Sequence, residues 1–239
     1  KMENEGLAFE DVLKRAQEKG YAEKDPTADI CGHDAGRKIA ILTSLAYGKD
    51  VDFDDITTIG ITDITDKDFA YAKKLGCTIK LFAKSVHKDG KYYALVAPFV
   101  VSSENPLYSV KNVFNAILVH GNMGGDTMYY GKGAGKLATA SAVVADVLDC
   151  VKHLGKHVNI KWDEEKLAIS PIDQAVRKFF VRVSGNDEAA VKAVFGDVEI
   201  MKDVVDGEMA FITNEMSEAD YKEKAAKAGN VIGMIRVDA

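Results

Sequence analysis

Cysteine is scarce in this sequence, and the cysteines present do not form pairs. There are three of them, Cys31, Cys77 and Cys150, which are far apart and odd in number. Disulfide frameworks use even, closely placed sets, so this usage favours a reducing compartment, and we expect a cytoplasmic protein. No Cys-x-x-Cys pair is present, which argues against a structural zinc site.

Long apolar runs and an excess of positive charge are also missing. No stretch of about 18 apolar residues occurs, so the sequence predicts no membrane span, and its first residues lack the pattern of a signal peptide. The formal net charge of −6 argues against nucleic acid or an anionic membrane as the main partner. With 47% hydrophobic residues among 239, the chain can bury a real core.

Hydrophobic periodicity predicts an α+β fold. Apolar residues at helical spacing alternate with β-rich runs, and the HKDG tetrapeptide between two such runs indicates a hairpin. We expect a mixed or antiparallel sheet with helices on one face. The predicted helices are 8–20, 34–48, 61–76 after an initial turn, and 136–155, and the predicted strands are 77–86, 91–101, 113–122 and 126–133.

Two of these helices carry more specific expectations. In the helix at 34–48, the apolar stripe predicts a largely buried element; it consists of Ile39, Leu42 and Ala46, with Ile41 and Leu45 beside it. In the helix that follows the GITDIT segment, Thr65 can cap the first turn and Asp68 sits three residues later, where its side chain can reach back.

The pattern changes near residues 163–175. From KFFVRVSG onward the sequence predicts strand, helix, strand, strand, helix and strand, with DVEIMKDVVDG (197–207) as the second strand. This order is typical of a ferredoxin-like βαββαβ domain. We therefore expect two domains, 1–172 and 176–239.

The segment GYAEKDPTADICGHDAGRK (20–38) concentrates acids in a turn-rich stretch and ends on a basic pair. If its last part is helical, Asp34 and Lys38 share a face, and the simplest interpretation is a surface ion pair worth about 0.3–0.5 kcal/mol. The alternative is a site: a lysine before an apolar helix face is partly desolvated and suited to proton transfer. Carboxylates such as Glu23 and Asp29 would then bind a cationic group, for example a substrate ammonium.

The spacing of the residues in this segment resembles the signature of homoserine dehydrogenases. The segments GITDIT, LGCTIKLFA and YYGKGAGKLATASAVVAD agree with it, so the resemblance covers nearly all of residues 1–160, and the βαββαβ tail resembles an ACT regulatory domain. The residues that carry the signature are Ala16, Gly20, Tyr21, Ala22, Asp25, Pro26, Asp29, Ile30, Gly32, Asp34 and Lys38.

The resemblance implies an oxidoreductase of the aspartate pathway, which leads to threonine, methionine and isoleucine. It interconverts aspartate 4-semialdehyde and homoserine with NAD or NADP. Lys38 would be the general acid and base and Asp34 would orient Lys38 or the substrate. Glu23 and Asp29 would hold the substrate ammonium, with Tyr21 nearby.

The glycine loop GKGAG (131–135) fits neither the GxGxxG nor the P-loop pattern. It is either a strand-to-helix turn or a place where backbone N–H groups meet a ligand. The resemblance places it beside the nicotinamide and the substrate, with Gly133 and Gly135 as cofactor-binding residues. We expect no metal site, since His153 and His157 lack a carboxylate motif that would complete one.

Several expectations concern what else the enzyme would need. No glycine-rich βαβ unit precedes Lys1, so the resemblance implies that the nucleotide-binding domain is missing and that this chain alone turns over little or no substrate. It also implies a homodimer or higher homo-oligomer. An amino-acid effector such as threonine could bind the tail, although its SGNDEAA loop lacks the Asp-x-x-Gly pattern of such sites. The rival hypothesis is an amino-acid-binding or dimerisation module without catalysis.

Overall fold

The computed structural model describes residues 1–158 and 162–238. Within them four helices come first, and strands and the remaining helices follow. The helices are α1 Met2–Glu5, α2 Phe9–Glu18, α3 Thr27–Ile30, α4 His33–Tyr47, α5 Asp66–Lys74, α6 Lys136–Lys152, α7 Glu188–Phe195 and α8 Glu218–Ala228. Among these described residues, no helix has both the length and the apolar character needed to cross a membrane.

The strands differ greatly in length. They are β1 Lys49–Asp50, β2 Thr57–Thr58, β3 Cys77–Lys88, β4 Lys91–Ser102, β5 Phe114–Gly121, β6 Gly125–Lys132, β7 Asp163–Lys166, β8 Val176–Arg177, β9 Phe179–Ser184, β10 Ile200–Met201, β11 Glu208–Ile212, β12 Met216–Ser217 and β13 Val231–Asp238. Short 3₁₀ turns lie at Phe53–Asp55, Pro106–Ser109 and Ile172–Gln174.

One mixed sheet joins the two ends of the chain. Its order is β10-β11-β9-β13-β4-β2, and β3 pairs with β4 in addition. Strand β4 is the centre: β3 runs antiparallel along one edge, while β2 and then β13 lie parallel to it along the other edge. The predicted hairpin between β3 and β4 is confirmed, as is the pairing of β5 with β6. The division into two domains stays a prediction, since this sheet crosses the predicted boundary.

The turn of the β3–β4 hairpin follows from its sequence. Asp89 and Gly90 both have positive φ, 52° and 73°. Two successive residues with positive φ form the turn whose twist matches that of two antiparallel strands, and Asp-Gly is a preferred pair for it. The register therefore pairs Lys88 with Lys91 and continues without a break to Cys77 and Ser102.

Side chains alternate across the sheet, so each face has its own core. On one face, Val96 and Val100 of β4 pack with α4 and α5, the latter through Tyr71. On the opposite face, β9 and β11 pack against α7 and α8 through Val191, Phe195 and Tyr221. The predicted α+β class with a mixed sheet is confirmed.

Two details of the sequence interpretation were wrong. Helix α4 buries Ile39 of the predicted stripe together with small and polar residues, Gly36, Ala40, Thr43 and Ser44. The rest of the predicted stripe is exposed, with Ile41 at 53%, Leu42 at 36% and Leu45 at 48%. The predicted strand at 197–207 is reduced to Ile200–Met201, because only these residues reach β11 in register.

Candidate active site

The acidic segment folds as a turn, one short helix and the start of α4. Asp25 begins this structure: its Oδ1 accepts hydrogen bonds from the Thr27 hydroxyl at 2.6 Å and the Thr27 N–H at 3.1 Å. These two bonds hold the pKa of the Asp25 carboxyl below its ordinary value. Upstream, the Gln17 amide donates to the Glu23 backbone carbonyl at 2.9 Å, which ties the turn to α2.

Gly32 sets the angle at which α4 leaves this turn. Its φ of 78° lies in the left-handed region that favours glycine. A Cβ at this position would also come within 3.0 Å of Val96 Cγ1 on the central strand. Helix α4 can therefore begin directly against β4, and Asp34 and Lys38 follow in its first two turns.

A second close contact fixes α3 from the other side. The N–H of Ile61, in the GITDIT segment, donates to the carbonyl of Ile30 at 2.8 Å. A Cβ at Gly60 would lie 2.2 Å from that same carbonyl oxygen and 2.7 Å from the Cα of Cys31. The backbone at 60–61 thus lies directly against the end of α3, one residue after Asp29.

Asp34 and Lys38 form the contact that their spacing predicts. Lys38 Nζ donates to Asp34 Oδ2 at 2.6 Å. The Lys38 side chain is 69% exposed and the Asp34 side chain is 49% exposed. This exposure corrects the expectation that the apolar helix face desolvates Lys38: in this chain, the lysine projects from the face of α4 that points away from the sheet.

The remaining predicted substrate residues lie on the same segment without touching the pair. Tyr21, Glu23 and Asp29 are exposed. Among the described residues there is a hollow of about 530 Å³ between α7 and α8 and another of about 360 Å³ beside Arg37 and Phe53. Neither is lined by Glu23, Asp29, Asp34 or Lys38. Convergence of Glu23 and Asp29 on Lys38 stays a prediction.

The glycine loop leads from β6 into α6. Gly133 is tightly packed, because a Cβ there would lie 1.6 Å from the Asn115 Nδ2 of the neighbouring strand. Gly135 precedes the first residue of α6 with φ 111°, and a Cβ there would meet nothing within 4 Å. Packing therefore explains the absence of a side chain at Gly133, while the N–H groups that follow Gly135 point out of an open helix start.

Comparisons with known proteins show the family of this chain. The sequence profile described as homoserine dehydrogenase matches residues 1–148. The chain belongs to the homoserine dehydrogenase family. The homoserine dehydrogenase of Bacillus subtilis is 36% identical over 241 residues, which is 93% of this chain and 55% of that protein. The Neisseria gonorrhoeae enzyme is 38% identical and covers 94% of this chain and 57% of its own length.

Solved structures of homoserine dehydrogenases show the same arrangement. A homoserine dehydrogenase from Thiobacillus denitrificans superposes with a TM-score of 0.86 at 31% identity, over 99% of this chain and 60% of that one. A hyperthermophilic archaeal homoserine dehydrogenase mutant in complex with NADPH has a TM-score of 0.50 at 30% identity, over 66% and 43% of the two chains. This chain thus spans a little over half the length of the curated relatives it matches.

The sequence interpretation of this homoserine dehydrogenase family member missed one buried cluster next to the signature segment. Arg182 of β9 donates to Asp68 at 2.8 Å and to Glu208 at 2.7 Å, and all three are buried. Lys67 pairs with the other oxygen of Glu208. Burial opposes the charge of Glu208, but the hydrogen bonds from Lys67 and Arg182 outweigh it and hold the pKa of its carboxyl below the ordinary value.

A second missed contact involves Asn105, the residue before Pro106. The Asn105 amide donates to Asp238 Oδ2 at 2.8 Å, and its own carbonyl accepts from the Leu107 N–H at 2.8 Å. Lys84 pairs with the same Asp238. Asn105 therefore caps the 3₁₀ turn that follows it and ties this turn to the end of β13.

The contact between Gly60 and α3 makes a stability prediction. Gly60→Ala should lower the free energy of unfolding by about 1–3 kcal/mol, because the new Cβ must push the Ile30 carbonyl and the Cys31 backbone away. Gly124→Ala is the matched control, since a Cβ there meets nothing within 4 Å. Urea unfolding measures both variants. Equal stability of the two would show that the backbone at 60–61 is not packed against α3.

Proposed function

We propose that this chain provides the substrate-binding and regulatory part of an NAD(P)-dependent homoserine dehydrogenase. The reaction interconverts aspartate 4-semialdehyde and homoserine. The observation that carries the proposal is the 2.6 Å contact between Lys38 Nζ and Asp34 Oδ2. This contact supports the proposal because a lysine and a carboxylate partner lie together on one helix at the end of the acidic segment.

Lys38 acts at the oxygen on C4 of the substrate. In the aldehyde this oxygen is a carbonyl, and it gains negative charge as C4 is reduced. The Lys38 ammonium donates its proton to that oxygen and stabilises the developing charge, so homoserine leaves with a neutral hydroxyl. In the oxidative direction the neutral amine accepts the hydroxyl proton. Asp34 holds Nζ over the first turns of α4 throughout.

Glu23 and Asp29 bind the α-ammonium of the substrate, which is common to both the aldehyde and the alcohol. Their carboxylates lie on the turn and on α3, both of which are tied down by backbone contacts to neighbouring elements. Tyr21, 50% exposed on the same turn, borders this ammonium. Rigid attachment matters here, because a carboxylate displaced by about 1 Å would no longer orient C4 toward Lys38.

When bound, NAD(P) supplies or accepts the hydride at C4. The residues of this chain that fit it are at the start of α6, where the N–H groups after Gly135 are open and the helix N-terminus favours polar or anionic groups. Gly133 keeps this loop close to β5. Most of the nicotinamide cofactor would be held by the nucleotide-binding domain that longer relatives have room for.

Homoserine binding tests the substrate assignment without requiring turnover. Glu23→Gln combined with Asp29→Asn should weaken binding of homoserine by about 10–100-fold for each lost charged hydrogen bond. Glu10→Gln combined with Asp11→Asn is the matched control, because it neutralises two acids on the first turn of α2. Isothermal calorimetry of the chain gives the dissociation constants. Equal affinity in both double variants would refute the assignment.

The C-terminal region, 176–239, supports a second function. Its strands follow the order β13-β9-β11-β10 with α7 and α8 on one face. This supports a ferredoxin-like, ACT-like regulatory domain that binds an amino acid such as threonine. The hollow between α7 and α8, lined by Asp220, Lys224 and Lys227 among others, has charges of both signs for such a ligand. Calorimetry separates the two functions: threonine that binds without competing with homoserine supports a distinct regulatory site.

The proposal extends to assembly and location. We infer a homodimer or higher homo-oligomer in the cytoplasm. Helix α6 has an exposed apolar stripe, in which Val143, Val147 and Val151 are each 56% exposed. This stripe offers a surface that another copy of the chain could cover. Light scattering of the purified protein at several concentrations tests the assembly, and a strictly monomeric species would refute it.

A further inference from the structure

We propose that Arg182 is a positioning residue for the substrate-binding segment, acting through Thr65 and Asp68 on the loop that holds α3 in place. The inference rests on the proposed function, because it assigns Arg182 to the support of Asp29. Arg182 lies on β9, more than 100 positions along the chain from the loop it contacts. It would couple the C-terminal region to the site.

Arg182 is buried and paired with carboxylates. The residue is 6% exposed, and its guanidinium forms hydrogen bonds with two carboxylates. Nη1 donates to Asp68 Oδ1 at 2.8 Å, while Nε and Nη2 donate to Glu208 Oε2 at 3.0 and 2.7 Å. With Lys67 on the other oxygen of Glu208, the cluster has two positive and two negative charges. A single cation thus fixes Asp68 in one orientation.

Asp68 connects Arg182 to the loop through Thr65. Asp68 Oδ2 accepts from the Thr65 N–H at 2.8 Å and from the Thr65 hydroxyl at 2.7 Å, which closes the capping box at the start of α5. Arg182 Nη1 also reaches the Thr65 hydroxyl at 3.2 Å. Both oxygens of Asp68 are therefore used, one by Arg182 and the other by Thr65, where the GITDIT segment ends.

The loop in turn contacts the substrate-binding segment at the end of α3. Residues 59–65 are fixed at one end by the hydrogen bond from Ile59 N–H to the Val96 carbonyl at 2.8 Å. The capping box fixes the other end. Between these ends, Ile61 donates to the carbonyl of Ile30, and Gly60 lies against the same carbonyl. If the Thr65 end is released, the loop loses its polar anchor on the α5 side, and the contact that holds Ile30 and its neighbour Asp29 loosens.

A second buried ion pair provides the matched control. Arg236 of β13 donates to Glu218 at 2.6 Å, and both side chains are 4% exposed. This pair joins β13 to α8 and has no hydrogen bond with Thr65 or Asp68 among the described residues. Loss of either arginine leaves buried carboxylate charge, so Arg182→Met and Arg236→Met should both destabilise the fold. Only Arg182→Met should loosen the loop.

Amide hydrogen exchange of the whole chain tests the positioning directly, in conditions where each variant is fully folded. Arg182→Met should speed exchange at Ile61 by about tenfold or more relative to Val100 of β4, whereas Arg236→Met should not. Arg182→Lys, which keeps one pairing, should fall between the two. If Ile61 is unchanged by Arg182→Met, or changes equally in both methionine variants, the proposal is overturned.

The functional consequence is measured separately, in a fusion of this chain with the part of the Bacillus subtilis relative that the chain does not match. Arg182→Met should raise the homoserine KM by about three- to tenfold with kcat changed less than twofold, because substrate binding loses support while Lys38 is untouched. A fall in kcat without a change in KM would overturn the positioning role. A fusion without homoserine turnover would refute the proposed function, and the exchange result at Ile61 would still decide the contact.

Discussion

Lys38→Ala should lower kcat for homoserine oxidation by about 10²–10⁴-fold, the range typical of a lost general acid–base group. The prediction follows from the position of Lys38 Nζ, 2.6 Å from Asp34 on a rigid helix. The measurement is steady-state turnover in a fusion of this chain with the part of the Bacillus subtilis relative that the chain does not match, since the chain spans 55% of that protein.

The exposure of Lys38 makes this loss simple to interpret. Its side chain is 69% exposed, and an exposed pair four residues apart on a helix contributes only about 0.3–0.5 kcal/mol to stability. The variant should therefore fold as well as the wild type, which urea unfolding can verify. Reduced turnover then reports on the reaction and not on the fold.

Two further variants separate charge from proton transfer. Lys38→Arg keeps the positive charge beside Asp34 but holds its proton at any ordinary pH, so it should restore binding more than turnover. Lys192→Ala removes another exposed lysine, one paired with Asp197 at 3.4 Å, and should leave turnover unchanged. Turnover of Lys38→Ala within about twofold of the wild type would remove Lys38 from the mechanism.

Local patterns allowed most of the longer helices and strands of this chain to be predicted, but not short elements such as α3 and β1. The β3–β4 hairpin was predictable because Asp89 and Gly90 encode the turn between two β-rich runs. The cap of α5 was predictable because Thr65 and Asp68 lie three residues apart. In both cases the residues that decide the structure are neighbours in sequence, so one short window contains the physical cause.

The buried face of α4 was not predictable in this way. Apolar spacing indicated Leu42 and Leu45, but α4 buries Gly36 and Ala40 instead, and at Gly36 the neighbouring Phe53 and Thr58 leave no room for a larger side chain. A Cβ at Gly36, for example, would lie 2.5 Å from the ring of Phe53. The buried face of α4 is thus decided by the close approach of Phe53 to Gly36, which a pattern of apolar residues does not reveal.

In the candidate site, too, local contacts were predictable and long-range contacts were not. The pairing of Asp34 with Lys38 follows from helical spacing, and the structure confirms that contact. The cluster around Arg182 could not be predicted, because 114 positions separate it from Asp68 and no local pattern links them. Only the sheet, by placing β9 and α5 side by side, creates the pair.

Arg182→Met should lower the free energy of unfolding by about 3–5 kcal/mol, the cost of leaving buried carboxylates without their cation. Glu208→Gln should cost less, about 1–3 kcal/mol, because Lys67 is half exposed and can turn to water. Urea unfolding of the two single variants and of the double variant measures the coupling. Losses that simply add would show that Arg182 and Glu208 do not act as a pair.

The pH dependence provides an independent check on the same pair. Because the folded pKa of Glu208 lies below its ordinary value of 4.5, the unfolded chain binds its proton first as the pH falls. Its contribution is therefore complete above about pH 4.5 and is lost as the pH drops through the folded pKa. The stability of Glu208→Gln should fall less steeply than that of the wild type below about pH 4.5. Parallel curves for the two proteins would mean that Arg182 and Lys67 do not stabilise the charge of Glu208.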